Sequence, residues 1–171
     1  MKTIAMVAKP NKPEAAALAK QLRERYPKLD LLVEAHFGEQ LGWPSQPDDV
    51  LSEKAELVIV LGGDGTLIHA ARLLRGRPVP ILGVNLGSLG FMTEVPVADA
   101  FVQLDSVLAS TARVDSRMKL SCRLFRDDQL MLSAEVLNDV VINKSALAKI
   151  AAHEGVPVRA DRGQLSGVVP H

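Results

Sequence analysis

An apolar run, Val58-Ile59-Val60-Leu61, stops at Gly62-Gly63-Asp64-Gly65-Thr66 and gives way to Leu67-Ile68-His69-Ala70-Ala71. This pattern is a buried strand, a glycine loop and the start of a helix, which commits the surrounding chain to an α/β arrangement. Three glycines in four residues let the backbone approach a ligand closely, and the N–H groups opening a helix can receive phosphate oxygens. Asp64 sits awkwardly in such a site, because a carboxylate repels phosphate unless it holds a metal or takes a proton. That conflict points to phosphoryl-transfer chemistry.

The elements on either side repeat the same grammar. Thr3–Ala8 reads as a buried strand, and Asn11-Lys12-Pro13 starts a helix over 14–26 with Ala15, Leu18, Leu22 and Tyr26 on one face. A second strand is expected over 29–35, a loop over 38–49, a third strand over 56–61, and a helix capped by Thr66 that runs to 75. A fourth strand over 79–85 ends in another glycine-rich turn, and a helix follows over 98–109. Apolar strands alternating with helices imply a parallel sheet covered on both faces.

The grammar changes after Arg113. Met118, Leu120, Cys122 and Leu124 alternate with polar residues, Asp127-Asp128 supplies a turn, and Leu130, Leu132, Ala134 and Val136 alternate back. This predicts an antiparallel hairpin with one wet face. The expected organisation is an α/β nucleotide-binding domain over 1–114 with a Rossmann-like parallel sheet, the beginning of an antiparallel β-rich domain over 115–153, and an aperiodic tail over 154–171.

Composition excludes several classes. Twenty basic and twenty acidic residues cancel, and only 4% of residues are aromatic, so the chain has neither the charge nor the stacking platforms of a nucleic-acid binder. A single cysteine, Cys122, cannot form an internal disulfide and reads as a buried thiol. The apolar start before Lys9-Pro10 is too short for a signal-peptide core, and the longest uncharged stretch is broken by Pro80, Gly83, Gly87 and Gly90. A soluble, cytoplasmic protein with no membrane partner is the expectation.

The glycine loop fits neither common nucleotide motif. No Gly-x-x-x-x-Gly-Lys-Ser/Thr is present, and the third glycine of the dinucleotide fingerprint would fall at Ile68. The loops at 62–66 and 85–93 both leave strand C-termini, where open α/β sheets bind ligands. Plainer readings remain for each feature. Asp-Gly is common in turns, Gly87 and Gly90 suit a turn, Phe91 suits a core anchor, and Asn138-Asp139 suits a bulge or strand end.

Gly62-Gly63-Asp64-Gly65-Thr66, then Asn85-Leu86-Gly87-Ser88-Leu89-Gly90-Phe91-Met92-Thr93, then Leu137-Asn138-Asp139-Val140-Val141-Ile142, resembles the NAD kinases. The first motif alone is shared with phosphofructokinases and with lipid kinases, which leaves a lipid kinase as the alternative enzyme. A non-catalytic nucleotide-binding or oligomerising module is the alternative outside catalysis. The resemblance covers roughly residues 3–152. It implies transfer of a phosphoryl group from ATP, or polyphosphate, to the 2′-hydroxyl of the adenosine ribose of NAD, with a divalent metal such as magnesium.

By the same resemblance Asp64 accepts the hydroxyl proton, and Gly62, Gly63, Gly65 and Thr66 cradle phosphate. Asp64, Gly65, His69, Phe91, Asn138, Asp139 and Lys149 would line the NAD site, while the metal ligands stay open. His69 could equally be a structural histidine, and Lys149 a solvated lysine. NAD kinases continue into a larger β-rich domain with a Gly/Ser/Thr-rich segment that is not recognisable here. The expectation is therefore a truncated or frameshifted member that keeps the catalytic loop, with open strand edges that favour a homo-oligomer.

Overall fold

The computed structural model describes residues 2–87 and 90–137, and the backbone of 158–168. The chain divides into two units, one reaching from the N-terminus to Asp115 and taking in the stretch from Ser166 onward, and one spanning Ser116–Leu165. The first unit holds a five-stranded parallel sheet in the order β2-β1-β3-β4-β5. Its strands are β1 (Thr3–Ala8), β2 (Asp30–Val33), β3 (Leu57–Gly62), β4 (Ile81–Asn85) and the short β5 (Val95–Pro96). β1 pairs with β2 on one side and β3 on the other, so the chain reverses its direction of winding between β1 and β3. Ligands of open α/β sheets bind in the crevice at such a reversal, beyond the strand C-termini.

Both faces of the sheet are covered. Ile4, Met6, Leu57, Ile59, Leu61 and Leu82 face one core with Leu18 and Leu22 of α1 (Pro13–Arg25). Phe37 and Leu104 complete that core from α2 (Ala35–Leu41) and α5 (Ala100–Leu108). Alternation along the strands turns Val58 and Val60 to the opposite face, where α4 (Asp64–Leu73) packs against β3 and β4. Four of the six β3 residues, Val58 to Leu61, are 1% exposed or less, as a strand buried on both faces requires.

Residues 38–49, expected as a loop, contain most of α2 and the start of α3 (Asp48–Lys54). Gly38 suggests a loop in the sequence, yet its reason is a close approach. A Cβ there would lie 2.7 Å from the Cβ of Ser45 and 3.0 Å from the carbonyl of Trp43. Gly42, at φ 67°, is the left-handed residue that ends α2. α4 also differs from expectation, stopping at Leu73, with Arg75 at φ 49° and Gly76 at φ 87° beyond it. Gly63 takes the N-cap position, so Thr66 lies inside the first turn and is not the cap.

A three-stranded sheet in the order β7-β6-β8, most of it in the second unit, is formed by β6 (Val114–Arg126), β7 (Gln129–Leu137) and β8 (Val158–Val168). β6 and β7 form the antiparallel hairpin that the alternation predicts. Asp127 and Asp128 both have positive φ, at 47° and 60°, the twist a two-residue hairpin turn needs. The register slips between Leu124 and Phe125, so Leu124 faces Leu132 while Phe125 faces Leu130. The slip moves Leu130 off the face of Leu132, which a strict alternation does not anticipate. Cys122 is buried and free.

Candidate functional site

β3 delivers its last residue, Gly62, to the C-terminal edge of the sheet, and α4 begins two residues later at Asp64. The three glycines of this loop have different surroundings. A Cβ on Gly62 would collide with the hydroxyl of Thr66 and lie 2.8 Å from its Cβ, so Gly62 lets the helix close onto the strand. Gly63 and Gly65 face open space, with nothing within 4 Å of a Cβ at either. Gly63 has φ −121°, which any residue adopts, so neither crowding nor conformation explains it. α4 has no side-chain cap, and the first N–H groups of a helix lack intrahelical acceptors.

The second glycine loop closes on the first through Asp64. Asp64 Oδ1 accepts hydrogen bonds from the backbone N–H of Met92 and of Thr93, both at 3.0 Å, and from the Thr93 hydroxyl at 3.1 Å. Oδ2 accepts one, from the N–H of Phe91 at 2.8 Å. Gly90 makes this approach possible, since a Cβ there would clash with Asp64 Oδ1 and lie 2.6 Å from Thr93 Oγ1. Desolvation by burial pushes the carboxyl up, but the N–H groups of Met92, Phe91 and Thr93 and the Thr93 hydroxyl outweigh it. The net result is a pKa below the ordinary aspartate value.

Asn85, at the end of β4, braces the loop from behind. Its Nδ2 donates to the carbonyl and hydroxyl oxygens of Thr93 at 3.1 and 3.2 Å, and its Oδ1 accepts the N–H of Gly87 at 2.8 Å. Thr93 and Asn85 are both buried.

His69, one turn further along α4, is paired. Its Nε2 lies 3.1 Å from Oε2 of Glu34, whose Oε1 accepts the N–H of Ala8 at 3.1 Å. Glu34 is a buried carboxylate just past β2, and with Pro10, His36, Gly65, Thr66 and His69 it lines a cavity of about 380 Å³ at the winding reversal. Phe91 is 70% exposed, so it is not a core anchor. Asn138, Asp139 and Lys149 lie outside the described residues.

The structure thus gathers Gly62, Gly63, Asp64, Gly65, Thr66, His69 and Phe91 at one edge of the sheet. It adds Glu34, Asn85 and Thr93, which the residue-by-residue reading did not single out. Glu34 carries a visible signal, a lone carboxylate closing the apolar run Leu31-Leu32-Val33. Thr93 ends the stretch Asn85–Thr93 that carries the family resemblance, but no local pattern signals its bond to Asp64, which spans 29 positions.

Residues 4–112 match the ATP-NAD kinase N-terminal domain. The chain belongs to the ATP-NAD kinase family. It is 46% identical over 160 residues to an NAD kinase of Geobacter metallireducens, covering 91% of this chain and 56% of that protein. An NAD kinase of Trichlorobacter lovleyi is 44% identical over 155 residues, covering 88% of this chain and 54% of that protein. The chain thus spans about half the length of the curated relatives it matches. Among solved structures, yeast NADH kinase complexed with NADH matches with a TM-score of 0.67 at 23% identity, over 80% of this chain and 46% of that one. This likeness supports the α/β fold followed by an antiparallel sheet.

Among the described residues, no group of three or more His, Cys, Asp or Glu side chains could hold a metal ion. Asp64 Oδ1 already meets three donors with two lone pairs. Its Oδ2 keeps acceptor capacity for one carboxylate–metal bond, the kind of contact Mg²⁺ makes alongside nucleotide phosphates. No helix among the described residues is long and apolar enough to cross a membrane.

Proposed function

We propose that this chain carries the phosphate-binding and proton-accepting part of an NAD kinase site. ATP is the phosphoryl donor and NAD the acceptor. The observation that carries the reading is Asp64, held where both glycine loops meet at the C-terminal edge of the sheet. The open space over Gly63 and Gly65 suits a phosphate approaching the first N–H groups of α4. His69 at the rim of the neighbouring cavity supplies a further polar group for the dinucleotide, and exposed Phe91 offers a ring to its adenine.

In this reading the ribose 2′-hydroxyl gives its proton to Asp64 as its oxygen bonds to the γ-phosphorus of ATP. The bond from that phosphorus to the β–γ bridging oxygen breaks, and ADP leaves with the electron pair. A loose phosphoryl-transfer transition state asks mainly for positioning, so a carboxylate of lowered basicity suffices to orient the hydroxyl and take its proton late. A positioned acid–base group of this kind contributes typically about 10²- to 10⁴-fold. Asn138, Asp139 and Lys149 extend the same proposal to the NAD side, and self-association through the exposed apolar hairpin residues Met118 and Leu132 completes it.

The four donors around Asp64 also favour a second reading, in which the carboxylate only pins the loop and the chain binds nucleotide without turnover. Calorimetric titration with ATP and NAD, run beside an assay for NADP, separates the two on wild type and Asp64→Asn. The kinase reading expects binding of both nucleotides, with NADP formation lost in the variant. Binding without turnover in wild type assigns the pinning role, and failure to bind either nucleotide removes both readings.

A further inference from the structure

The hydrogen bonds on Asp64 are unequal, and their inequality has a direction. Among the described residues, Oδ1 receives Met92 N–H, Thr93 N–H and the Thr93 hydroxyl, which exceeds its two lone pairs, whereas Oδ2 receives Phe91 N–H alone. Oδ2 is therefore the oxygen with acceptor capacity to spare. The orientation of the Thr93 hydroxyl is also set. Asn85 Oδ1 accepts the Gly87 N–H, which fixes the amide so that Nδ2 donates to Thr93 Oγ1, and the Thr93 proton is left to point at Asp64. Both residues of this relay are buried, with Thr93 fully so, and each is held from a different strand end.

We infer that Thr93, with its hydroxyl oriented by Asn85, is a positioning residue that fills Asp64 Oδ1 and presents Oδ2 as the single oxygen able to accept a substrate hydroxyl. The inference rests on the reading of Asp64 as proton acceptor, but its geometry can be tested without turnover. Neither residue touches substrate in this account. Their effect passes through the Asp64 rotamer and through its hydrogen bonds, all of which come from uncharged donors.

The direct test is a carboxyl NMR titration of Asp64 in the 171-residue chain, comparing wild type, Thr93→Val and Thr93→Ser. Valine keeps the shape and removes the hydroxyl, so the Asp64 midpoint is expected to rise by about one pH unit, and serine to restore it. Equal midpoints in wild type and Thr93→Val would overturn the inference. Should the valine variant fail to fold, the Thr93 hydroxyl proton of the unmutated chain gives the answer. It is expected to exchange slowly with water while Asp64 is ionised and faster once Asp64 is protonated; fast exchange throughout would contradict the relay.

In the turnover arm, Thr93→Val should lower kcat about tenfold, equivalent to one missing hydrogen bond, with KM for NAD within about twofold. A rise in KM alone would instead give Thr93 a substrate contact and overturn the positioning role. A wild-type chain that makes no NADP removes the kinase reading, while the carboxyl titration still decides whether the Thr93 hydroxyl holds Oδ1.

Discussion

The two glycine loops leave adjacent parallel strands at the same edge of the sheet, yet they use glycine for opposite purposes. In the loop after β3, Gly63 and Gly65 look onto open space, and the missing side chains keep the helix start accessible. In the loop after β4, Gly90 is pressed against Asp64 and Thr93, and the missing side chain lets the two loops touch. Gly62 belongs with Gly90, since it lets Thr66 fold back over the end of β3. A glycine-rich motif is therefore two things here, an opening and a closure, and only the three-dimensional neighbours tell them apart.

Substitutions at these glycines should separate the two roles. Gly90→Ala has the largest expected effect, because its methyl group would clash with Asp64 Oδ1 and must drive the loop away from the carboxylate. NADP formation should fall by roughly 100-fold or more, and the urea midpoint should drop by the equivalent of about 1–3 kcal/mol. Near-normal turnover in that variant would break the claim that the loops must touch.

Gly62→Ala should cost a similar 1–3 kcal/mol through the clash with Thr66. The loss should shrink when Thr66→Ala is added, since the two residues share one contact. Additive losses in a double-mutant cycle would show that the clash is not the cause. Gly63→Ala should leave folding stability unchanged or raise it by about 0.4–1 kcal/mol, because its backbone already suits alanine. Its ATP affinity should fall by about tenfold. A destabilised Gly63→Ala chain with unchanged affinity would reverse the assignment of roles.

The smallest expected effect is on pH dependence. Asp64 has a depressed pKa in the folded chain. Its contribution to holding the loop is therefore complete above its unfolded-state pKa and is lost as pH falls through the lower folded value. Amide exchange at Phe91, Met92 and Thr93 should be slow near neutrality and accelerate only in acid. Asp64→Asn should show fast exchange at these three amides throughout. Acid-independent protection in wild type would mean that the carboxylate does not hold the loop.

The α/β architecture was legible because buried parallel strands read as apolar runs, and the loop at 62–66 stands where such a run stops. The helix over Ala35–Leu41 was not legible because Gly38 and Gly42 suggest a loop. One glycine is a packing gap and the other a helix terminator. Asp64 was visible as a carboxylate out of place among glycines. Its partners were less so, since hydrogen bonds from residues 91–93 depend on how β3 and β4 align, and no local pattern encodes that register. The pairing of His69 with Glu34 likewise arises across 35 positions, through the parallel packing of β2, β1 and β3.

The central claim is that Asp64, held at the junction of the two loops, accepts the proton of the NAD ribose hydroxyl. Its most direct test is NADP formation from ATP and NAD by wild type and by Asp64→Asn, at nucleotide concentrations that saturate both. The account predicts turnover in wild type and a loss of about 10²- to 10⁴-fold in the variant, with affinity for NAD changed by no more than a few-fold. Equal rates of NADP formation in the two chains would contradict it.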